Sequence, residues 1–262
     1  MNRRAVIAGL PLAFLMISRA RAGTAKPYRL ALMIADYDAA AKAYAGGLEI
    51  ELDPGWKTYW RLPGDAGIPP QFDWSKSKNL KSIEILWPAP QRFSDAGGET
   101  IGYKDRVVFP LRIVPENPDA PVELDLSLFF GVCQDICIPG NGELTAKTGR
   151  ADPAAASLIA SFAAKVPRKV DDASPFRVTT ARVSKDRPNS LFVQIEGKRG
   201  PGNFEILVEG ADFAYFKAPR SPTKTDGWFL PFTGDPARLP GRLLKLTIVT
   251  PDIALEQDVT VE

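Results

Sequence analysis

Cys133 and Cys137 are the residues of this 262-residue sequence best suited to covalent chemistry, and they are its only cysteines. An apolar, β-prone run over residues 126–130 leads to Gly131, and the two thiols then lie four positions apart before Pro139. A disulfide needs Cα atoms no more than about 7 Å apart, which a turn or one helical turn through residues 134–136 provides. The segment therefore predicts a cysteine pair that is able to form a disulfide where a strand ends.

Three kinds of chemistry are open to this pair. An inert disulfide is common in exported proteins, but closing so short a loop removes little entropy from the unfolded chain. A redox-active pair exchanges dithiol for disulfide with a partner protein through a mixed disulfide, and it needs no cofactor. Two thiolates also bind Cu(I), with Met33 as a further internal ligand. The small loop between Gly131 and Pro139 favours the redox-active pair.

The residue composition excludes several other functions. The sequence has no histidine, so Ser-His and Cys-His nucleophilic sites are absent and hydrolase chemistry is disfavoured. Two cysteines alone cannot supply the four ligands of a closed zinc site, so no metal site is predicted. The sequence contains no basic block of the kind that nucleic-acid binding requires, and nucleic acid is not expected as a partner.

Residues 1–22 have the layout of a secretory signal peptide, with Arg3 and Arg4 before an apolar run and a small-x-small cleavage site at residues 20–22. The Arg3-Arg4 pair also admits the twin-arginine route. The apolar run is shorter than the roughly 20 residues that span a bilayer, and no later segment is apolar enough to do so. The mature protein is therefore expected to be exported, to be soluble and to lack a transmembrane segment, with a net charge of about −2.

Short β-prone segments between Pro and Gly breakers run through most of the chain and predict an all-β fold built from sandwiches. Pro110 predicts that its strand is an edge strand or a bulged one. One helix is predicted over residues 154–165, with Asp152 as N-cap and Pro153 at the first helical position. A charged linker follows the helix, so we expect one β-sandwich over residues 23–168 and a second over residues 169–262. The second sandwich is expected to have a structural or docking role.

Several motifs of the sequence resemble a known family. They are GVCQDICIP at residues 131–139, PGWKTYWRLPGDAGIPP at 54–70, WPAP at 87–90 and IGY at 101–103. Together, over residues 45–145, the chain resembles the periplasmic N-terminal domain of the DsbD and ScsB group of thiol:disulfide interchange proteins, which are disulfide reductases. The resemblance implies an immunoglobulin-like sandwich in the periplasm, with Cys133 and Cys137 as the active pair.

The resemblance also implies partners. A membrane-embedded or thioredoxin-like donor would reduce the pair, and the pair would then reduce periplasmic client proteins that contain disulfides. Members of the family continue into membrane helices, whereas this sequence ends at Glu262, so we expect the donor to be a separate membrane electron transporter or thioredoxin-like protein. The ScsB group is also linked with copper tolerance. The alternative function is therefore a non-enzymatic one, either as a copper-binding protein or as an adaptor with a structural disulfide.

An aromatic cluster near residue 58 has two interpretations. Its side chains either belong to the sandwich core or form a cap that shields the sulfurs and offers an apolar surface to a partner. For the cap the sequence offers five candidate cap or partner-binding residues, Trp56, Tyr59, Trp60, Tyr103 and Phe130. The segment from residue 56 to residue 70 is expected to cover the cysteine pair.

Overall fold

The structure is a computed structural model that describes residues 26–64, 67–95, 98–149, 152–187, 189–197, 205–220 and 227–262. The predicted signal peptide, residues 1–22, lies outside the described residues. Within the part of the chain that the structure describes, no helix is long and apolar enough to cross a membrane.

Ten strands precede the helix. They are β1 (Tyr28–Asp38), β2 (Ala43–Leu52), β3 (Lys57–Gly64), β4 (Gln71–Asp73), β5 (Leu80–Ile85), β6 (Gln91–Asp95), β7 (Gly98–Lys104), β8 (Arg106–Pro115), β9 (Glu123–Cys133) and β10 (Cys137–Lys147). They form one sheet in the order β1-β2-β8-β5 and another in the order β10-β9-β3-β7-β6, with β4 also paired to β9. We call these two sheets the N-terminal sandwich.

The helix and eight further strands complete the fold. They are α1 (Pro153–Ala163), β11 (Arg168–Lys169), β12 (Phe176–Val183), β13 (Ser190–Gly197), β14 (Glu205–Glu209), β15 (Tyr215–Phe216), β16 (Gly227–Thr233), β17 (Leu243–Val249) and β18 (Ala254–Thr260). The strands pair in the orders β11-β18-β17-β14 and β12-β13-β16-β15, and we call these two sheets the C-terminal sandwich.

The all-β fold class predicted from the sequence is confirmed, because strands account for nearly all the regular structure of the described residues. The buried side chains form two clusters, one mainly within each sandwich. The division of the chain into two domains near residue 168 stays a prediction. The predicted helix is also present, and Asp152 caps it by accepting a hydrogen bond from the amide of Ala154 at 2.9 Å.

Strand β9 shows how the sequence places the cysteines. Its even-numbered residues from Leu124 to Val132 are almost completely buried in the core of the N-terminal sandwich. Because side chains alternate across a strand, the odd-numbered residues Phe129, Gly131 and Cys133 lie on the opposite face of the sheet. The apolar alternation therefore fills the core and also directs Cys133 away from it.

Two strands of the N-terminal sandwich contain a proline. Pro110 lies in β8, which is an inner strand between β2 and β5, so the expectation of an edge strand is wrong. The alternative was a bulged strand, and the β5–β8 pairing does have an irregularity, between Leu80 and Ser82 and away from Pro110. Strand β5 ends at Ile85, next to the position of Pro110, and the Pro110 carbonyl accepts from the amide of Leu86 at 2.8 Å. The missing N–H of Pro110 faces the same side as its carbonyl, so the reciprocal bond to Leu86 cannot form and the ladder between β5 and β8 ends at this point.

The second proline, Pro139, lies within β10 together with Gly140 and Gly142, although prolines and glycines often break regular structure. Pro139 is opposite Gly131, whose amide donates to the Ile68 carbonyl on the other side of β9. Opposed residues of an antiparallel pair either exchange both hydrogen bonds or exchange none. Pro139 is therefore in a non-hydrogen-bonded pair, and its nitrogen faces outward from this edge strand.

Gly102 of β7 is a position where only a glycine fits beside β3. It is opposite Tyr59, and a Cβ at this position would lie 2.9 Å from the carbonyl carbon of Thr58, with the Thr58 oxygen closer still. We expect Gly102→Ala to reduce the free energy of unfolding by about 1–3 kcal/mol, because the backbone atoms that it meets cannot move aside. Urea unfolding measures the change.

Gly149→Ala is the matched control, since a Cβ at that position meets no atom within 4 Å. It is expected to unfold at the urea concentration of the unmodified protein. Equal midpoints for the two alanine variants would show that the close approach of β7 and β3 is not a constraint on stability.

Candidate functional site

Cys133 and Cys137 form a disulfide at the end of the β9–β10 hairpin. Cys133 is the last residue of β9 and Cys137 is the first residue of β10, so the two lie directly opposite each other with a Cα–Cα distance of 4.1 Å. Residues 134–136 form the loop between them. The turn that the sequence predicted between the cysteines is thus the tip of a hairpin, and the bond joins its two strands at the last register pair.

The two cysteines differ in exposure. Cys133 is only 5% exposed, whereas Cys137 is exposed. The difference arises because β9 is an inner strand, with β3 along its other side and Lys57 opposite Cys133, whereas β10 is an edge strand. A thiolate from another protein therefore reaches Cys137 more readily than Cys133.

Tyr59 of β3 is the aromatic residue that contacts the cysteine pair. Its ring is buried, with 1% of the residue exposed, and its hydroxyl oxygen lies 3.2 Å from the Sγ atom of Cys137. The ring fits between Gly131 and Gly67, where a Cβ would approach ring carbons to 2.8 Å and 2.6 Å. The absence of side chains at these two glycines lets the tyrosine lie flat against the sheet and reach the sulfur.

Lys57 lies on the same face of the sheet as Cys133, because directly opposed residues of an antiparallel pair project to the same side. The lysine is 6% exposed, and its Nζ atom donates to the hydroxyl of Thr100 at 3.1 Å. Sequence reasoning did not identify this residue. Its spacing of two from Tyr59 along a strand is the signal that places both side chains on one face.

The exposed tip of the hairpin carries one apolar side chain beside two polar ones. Ile136, in the loop between the two cysteines, is 76% exposed. The loop also contacts the turn before β3, because a Cβ at Gly55 would lie 3.0 Å from the side-chain nitrogen of Gln134. Sequence reasoning did not single out Ile136 either.

The five expected cap residues are in different places. Tyr59 contacts Cys137 as described above, and Trp56 is half-buried against the core cluster of the N-terminal sandwich. Trp60, Tyr103 and Phe130 are core residues, with exposures of 0%, 7% and 0%. The expectation that these three residues cap the sulfurs or bind a partner is wrong, because the alternation along their strands turns them into the core.

Tyr103 and Phe130 each have a specific partner in the core. The Tyr103 hydroxyl donates to the Pro88 carbonyl at 2.8 Å. Burial raises the pKa of Tyr103 well above its ordinary value, and the nearby charge of Arg61 offsets part of that rise. Phe130 packs edge-on against Tyr28, with ring centroids 4.9 Å apart. These side chains stabilise the sandwich that carries the cysteine pair.

The copper alternative relied on Met33 as a ligand beside the two cysteines. Met33 lies on β1, in the sheet opposite that of the cysteines, and its Cε atom packs at Gly47 next to Ile159 of α1. The described residues also contain no group of three or more His, Cys, Asp or Glu side chains that could hold a metal ion. Met33 is therefore a packing residue beneath the helix.

Comparisons with known proteins identify relatives of this chain. Residues 32–149 match the sequence profile of the family described as thiol:disulfide interchange protein DsbD, N-terminal. The chain is also similar to the crystal structure of the N-terminal periplasmic domain of ScsB from Proteus mirabilis, with a TM-score of 0.74 and 22% sequence identity. That match covers 90% of this chain and 94% of the ScsB chain, and at this identity it establishes the fold. A comparison with curated protein sequences finds no match.

The contact between Tyr59 and Cys137 leads to a prediction for Tyr59→Phe. A hydroxyl that donates to a thiolate stabilises it relative to the thiol. In a Cys133→Ser background, where Cys137 is the only thiol, Tyr59→Phe should move the midpoint of the pH–rate profile for alkylation by iodoacetamide to higher pH. The shift measures how strongly the hydroxyl favours the thiolate.

Tyr103→Phe is the control, because it also removes a buried hydroxyl but one that bonds to Pro88 instead of to a sulfur. Both variants should lose about 0.5–1.5 kcal/mol of stability for the lost hydrogen bond. Only Tyr59→Phe should alter the alkylation profile, and an unchanged profile would mean that the hydroxyl does not act on Cys137.

Proposed function

Residues 32–149 match the DsbD N-terminal domain family, and on that basis we propose that this protein relays electrons between proteins by thiol–disulfide exchange at Cys133 and Cys137. One observation carries the proposal. An exposed sulfur, Cys137, is bonded to a buried one, Cys133, at the tip of a hairpin, and a tyrosine hydroxyl contacts the exposed sulfur.

The oxidised pair receives electrons from a donor dithiol. The donor thiolate attacks Cys137 Sγ, because that sulfur is exposed, and forms a mixed disulfide while the Cys133–Cys137 bond breaks. Cys133 leaves as a thiolate and takes up a proton. The second thiol of the donor then attacks its own sulfur in the mixed disulfide and releases Cys137. The donor becomes a disulfide and this protein becomes a dithiol, with two electrons and two protons transferred.

The reduced pair passes these electrons to a client disulfide. The Cys137 thiolate attacks one client sulfur, the client S–S bond breaks, and the other client sulfur leaves as a thiolate that is then protonated. Cys133 loses its proton and attacks Cys137 Sγ, which displaces the first client sulfur and restores the Cys133–Cys137 disulfide. Cys137 is thus the attacking sulfur and Cys133 the resolving sulfur. The exchange needs no cofactor.

An exchange role fits the hairpin better than a structural one. The β9–β10 ladder continues for ten register pairs beyond the cysteines, from Val132–Ile138 to Glu123–Lys147, and it fixes the hairpin without the bond. The loop that the bond closes is too short to restrict the unfolded chain greatly. The disulfide therefore adds little to stability at a position where one of its sulfurs is open to attack.

The periplasm is the compartment proposed for this exchange. The residues 1–22 have the layout of an export signal, and the ScsB domain with the same fold is described as periplasmic. A membrane electron transporter or a thioredoxin-like protein is the proposed donor, and periplasmic proteins with disulfides are the proposed clients. Donor and client would dock in turn at the same exposed sulfur.

The single-cysteine variants test the assignment of the two sulfurs. Cys133→Ser keeps the exposed thiol, and we expect it to form a mixed disulfide with oxidised glutathione at least about tenfold faster than Cys137→Ser, which keeps the buried thiol. Mass spectrometry of the adducts under native conditions measures both rates.

The reduction potential of the unmodified pair separates exchange from an inert structural bond. A potential well below about −300 mV, together with no adduct in either variant, would identify a structural disulfide and refute the relay. Copper binding that is lost in both variants would instead support a copper-binding protein.

Ile136→Asp tests docking at the hairpin tip. A partner protein that reaches Cys137 must cover this exposed side chain, and an aspartate there would leave a carboxylate against an apolar contact. We expect the oxidised variant to be reduced by thioredoxin about tenfold more slowly, which corresponds to roughly 1.4 kcal/mol. Reduction by dithiothreitol, which has no protein surface, should keep its rate.

Leu243→Asp is the matched control, because Leu243 is also an exposed apolar residue, at 62%, but lies on the C-terminal sandwich. It should leave both rates unchanged. If Ile136→Asp slowed the small reagent as much as it slowed thioredoxin, the side chain would act on the disulfide itself and not on docking.

A further inference from the structure

Strand β14 of the C-terminal sandwich packs directly against the N-terminal sandwich. Leu207 at its centre is 1% exposed and belongs to the core cluster of the N-terminal sandwich. Glu205 and Glu209 lie two positions to either side of it and therefore on the same face of the strand. The junction between the sandwiches thus consists of a buried leucine with a carboxylate at each end.

Each of these carboxylates binds an arginine of the N-terminal sandwich. Arg61 of β3 donates to both carboxylate oxygens of Glu209 at 2.8 Å, and it also bonds to Glu256 of β18. Two parallel hydrogen bonds between a guanidinium and a carboxylate fix the direction of the side chain as well as its position. Arg61 is therefore held by two strands of the C-terminal sandwich.

Arg92 of β6 forms the second connection. It bonds to Glu205 at 2.9 Å and to Glu99 of β7 at 3.1 Å, and its side chain is 6% exposed. The Tyr215 hydroxyl of β15 donates to the Glu99 carbonyl at 3.4 Å, beside Arg92. Two arginines and four glutamates thus meet at the junction, with Lys245 3.9 Å from Glu256.

The charges at the junction stabilise one another. Burial disfavours the charged form of Arg61, but the hydrogen bonds to Glu209 and Glu256 outweigh it and raise the pKa of the guanidinium above its ordinary value. The pKa of Arg92 is raised in the same way, with burial opposed mainly by Glu205. Both arginines therefore stay charged.

The position of Arg61 along β3 relates the junction to the cysteine pair. Arg61 lies two residues beyond Tyr59, whose hydroxyl contacts Cys137. Strand β3 pairs with β9 at Lys57 and Thr58, and its register with β7 shifts between Tyr59 and Gly64. Beyond Tyr59 the strand therefore leaves the regular ladder, and side-chain contacts hold it, those of Trp60 in the core and those of Arg61 at the junction.

We propose that the C-terminal sandwich positions the reactive site through Arg61, which Glu209 and Glu256 hold so that Tyr59 on the same strand keeps its hydroxyl against Cys137 Sγ. The inference rests on the proposed function of Cys137 as the attacking sulfur. Arg61 is a positioning residue, since it acts through Tyr59. The second sandwich thereby gains a role in the chemistry although it contains no cysteine.

The variant pair Glu209→Gln and Glu256→Gln tests this role in the full chain. Made together in the Cys133→Ser background, the two substitutions remove both negative charges that hold Arg61 but keep the side-chain shapes. We expect the midpoint of the iodoacetamide alkylation profile to move to higher pH, in the direction of Tyr59→Phe. Half a pH unit corresponds to a loss of about threefold in rate at a fixed pH below the midpoint.

A double-mutant cycle distinguishes positioning from general destabilisation. When Tyr59 is already phenylalanine, the two glutamine substitutions should cause no further shift, because their effect passes through the hydroxyl. Glu49→Gln is the matched control. Glu49 pairs with Arg106 at 3.0 Å in the other sheet and is buried to the same extent as Glu256, with 16% of each side chain exposed. It should leave the profile unchanged.

The proposal is overturned if the folded double-glutamine variant has the unmodified profile, or if it shifts the profile equally with phenylalanine at position 59. Where the double variant does not unfold cooperatively, Glu209→Gln alone and Arg61→Lys carry the same test, with smaller shifts expected in the same direction. Alkylation needs no protein partner. The two proposals can therefore fail separately. If the alkylation profiles shift as expected but the protein does not exchange with thioredoxin, the relay is refuted and the positioning role of Arg61 is retained.

Discussion

The placement of β9 between β10 and β3 is the constraint on which the site depends. One face of β9 supplies a row of buried aliphatic and aromatic side chains to the core, so the strand cannot rotate or slip by a residue without exposing that row. The same register directs Cys133 to the other face and brings Cys137 opposite it on the edge strand. The position of the cysteine pair is therefore fixed mainly by the hydrophobic burial of the even-numbered β9 residues, none of which contacts a sulfur in the proposed exchange.

Close approach between strands is the second requirement of the site. Tyr59 reaches the exposed sulfur because Gly131 and Gly67 leave room for its ring, and Gly102 lets β7 approach the backbone before it. Any side chain at these glycines would displace the ring or the strand. The tyrosine ring is packed on both sides by Gly131 and Gly67, and this packing holds its hydroxyl against the sulfur of Cys137.

The two cysteines of the pair have different surroundings. An inner strand shields Cys133 and an edge strand exposes Cys137, and the order of attack that we propose rests on this difference. The C-terminal sandwich adds a further constraint on the same strand as Tyr59 through the Arg61 ion pairs. Through these ion pairs the C-terminal sandwich contacts the strand whose Tyr59 lies against Cys137.

Local patterns predicted the features that depend on neighbours in sequence. Asp152 and Pro153 marked the start of the helix, alternating apolar residues marked β9, and four-residue spacing marked the cysteine pair. Predictions that needed the identity of a neighbouring strand were less successful. Pro110 and Pro139 are both accommodated in strands because of what lies beside them, and this is a property of the pairing and not of the sequence around each proline.

The sequence by itself determined the all-β class, the cysteine pair and the family that the segment around the pair resembles. Only the tertiary structure decided which sulfur is exposed, which of five aromatic residues contacts it, and that Arg61 binds Glu209 and Glu256 nearly 150 and 200 residues away. The physical reason is that burial and ion pairing depend on contacts between distant segments. Alternation along a strand assigns a side chain to a face, but the neighbours across the sheet decide whether that face is core, junction or open surface.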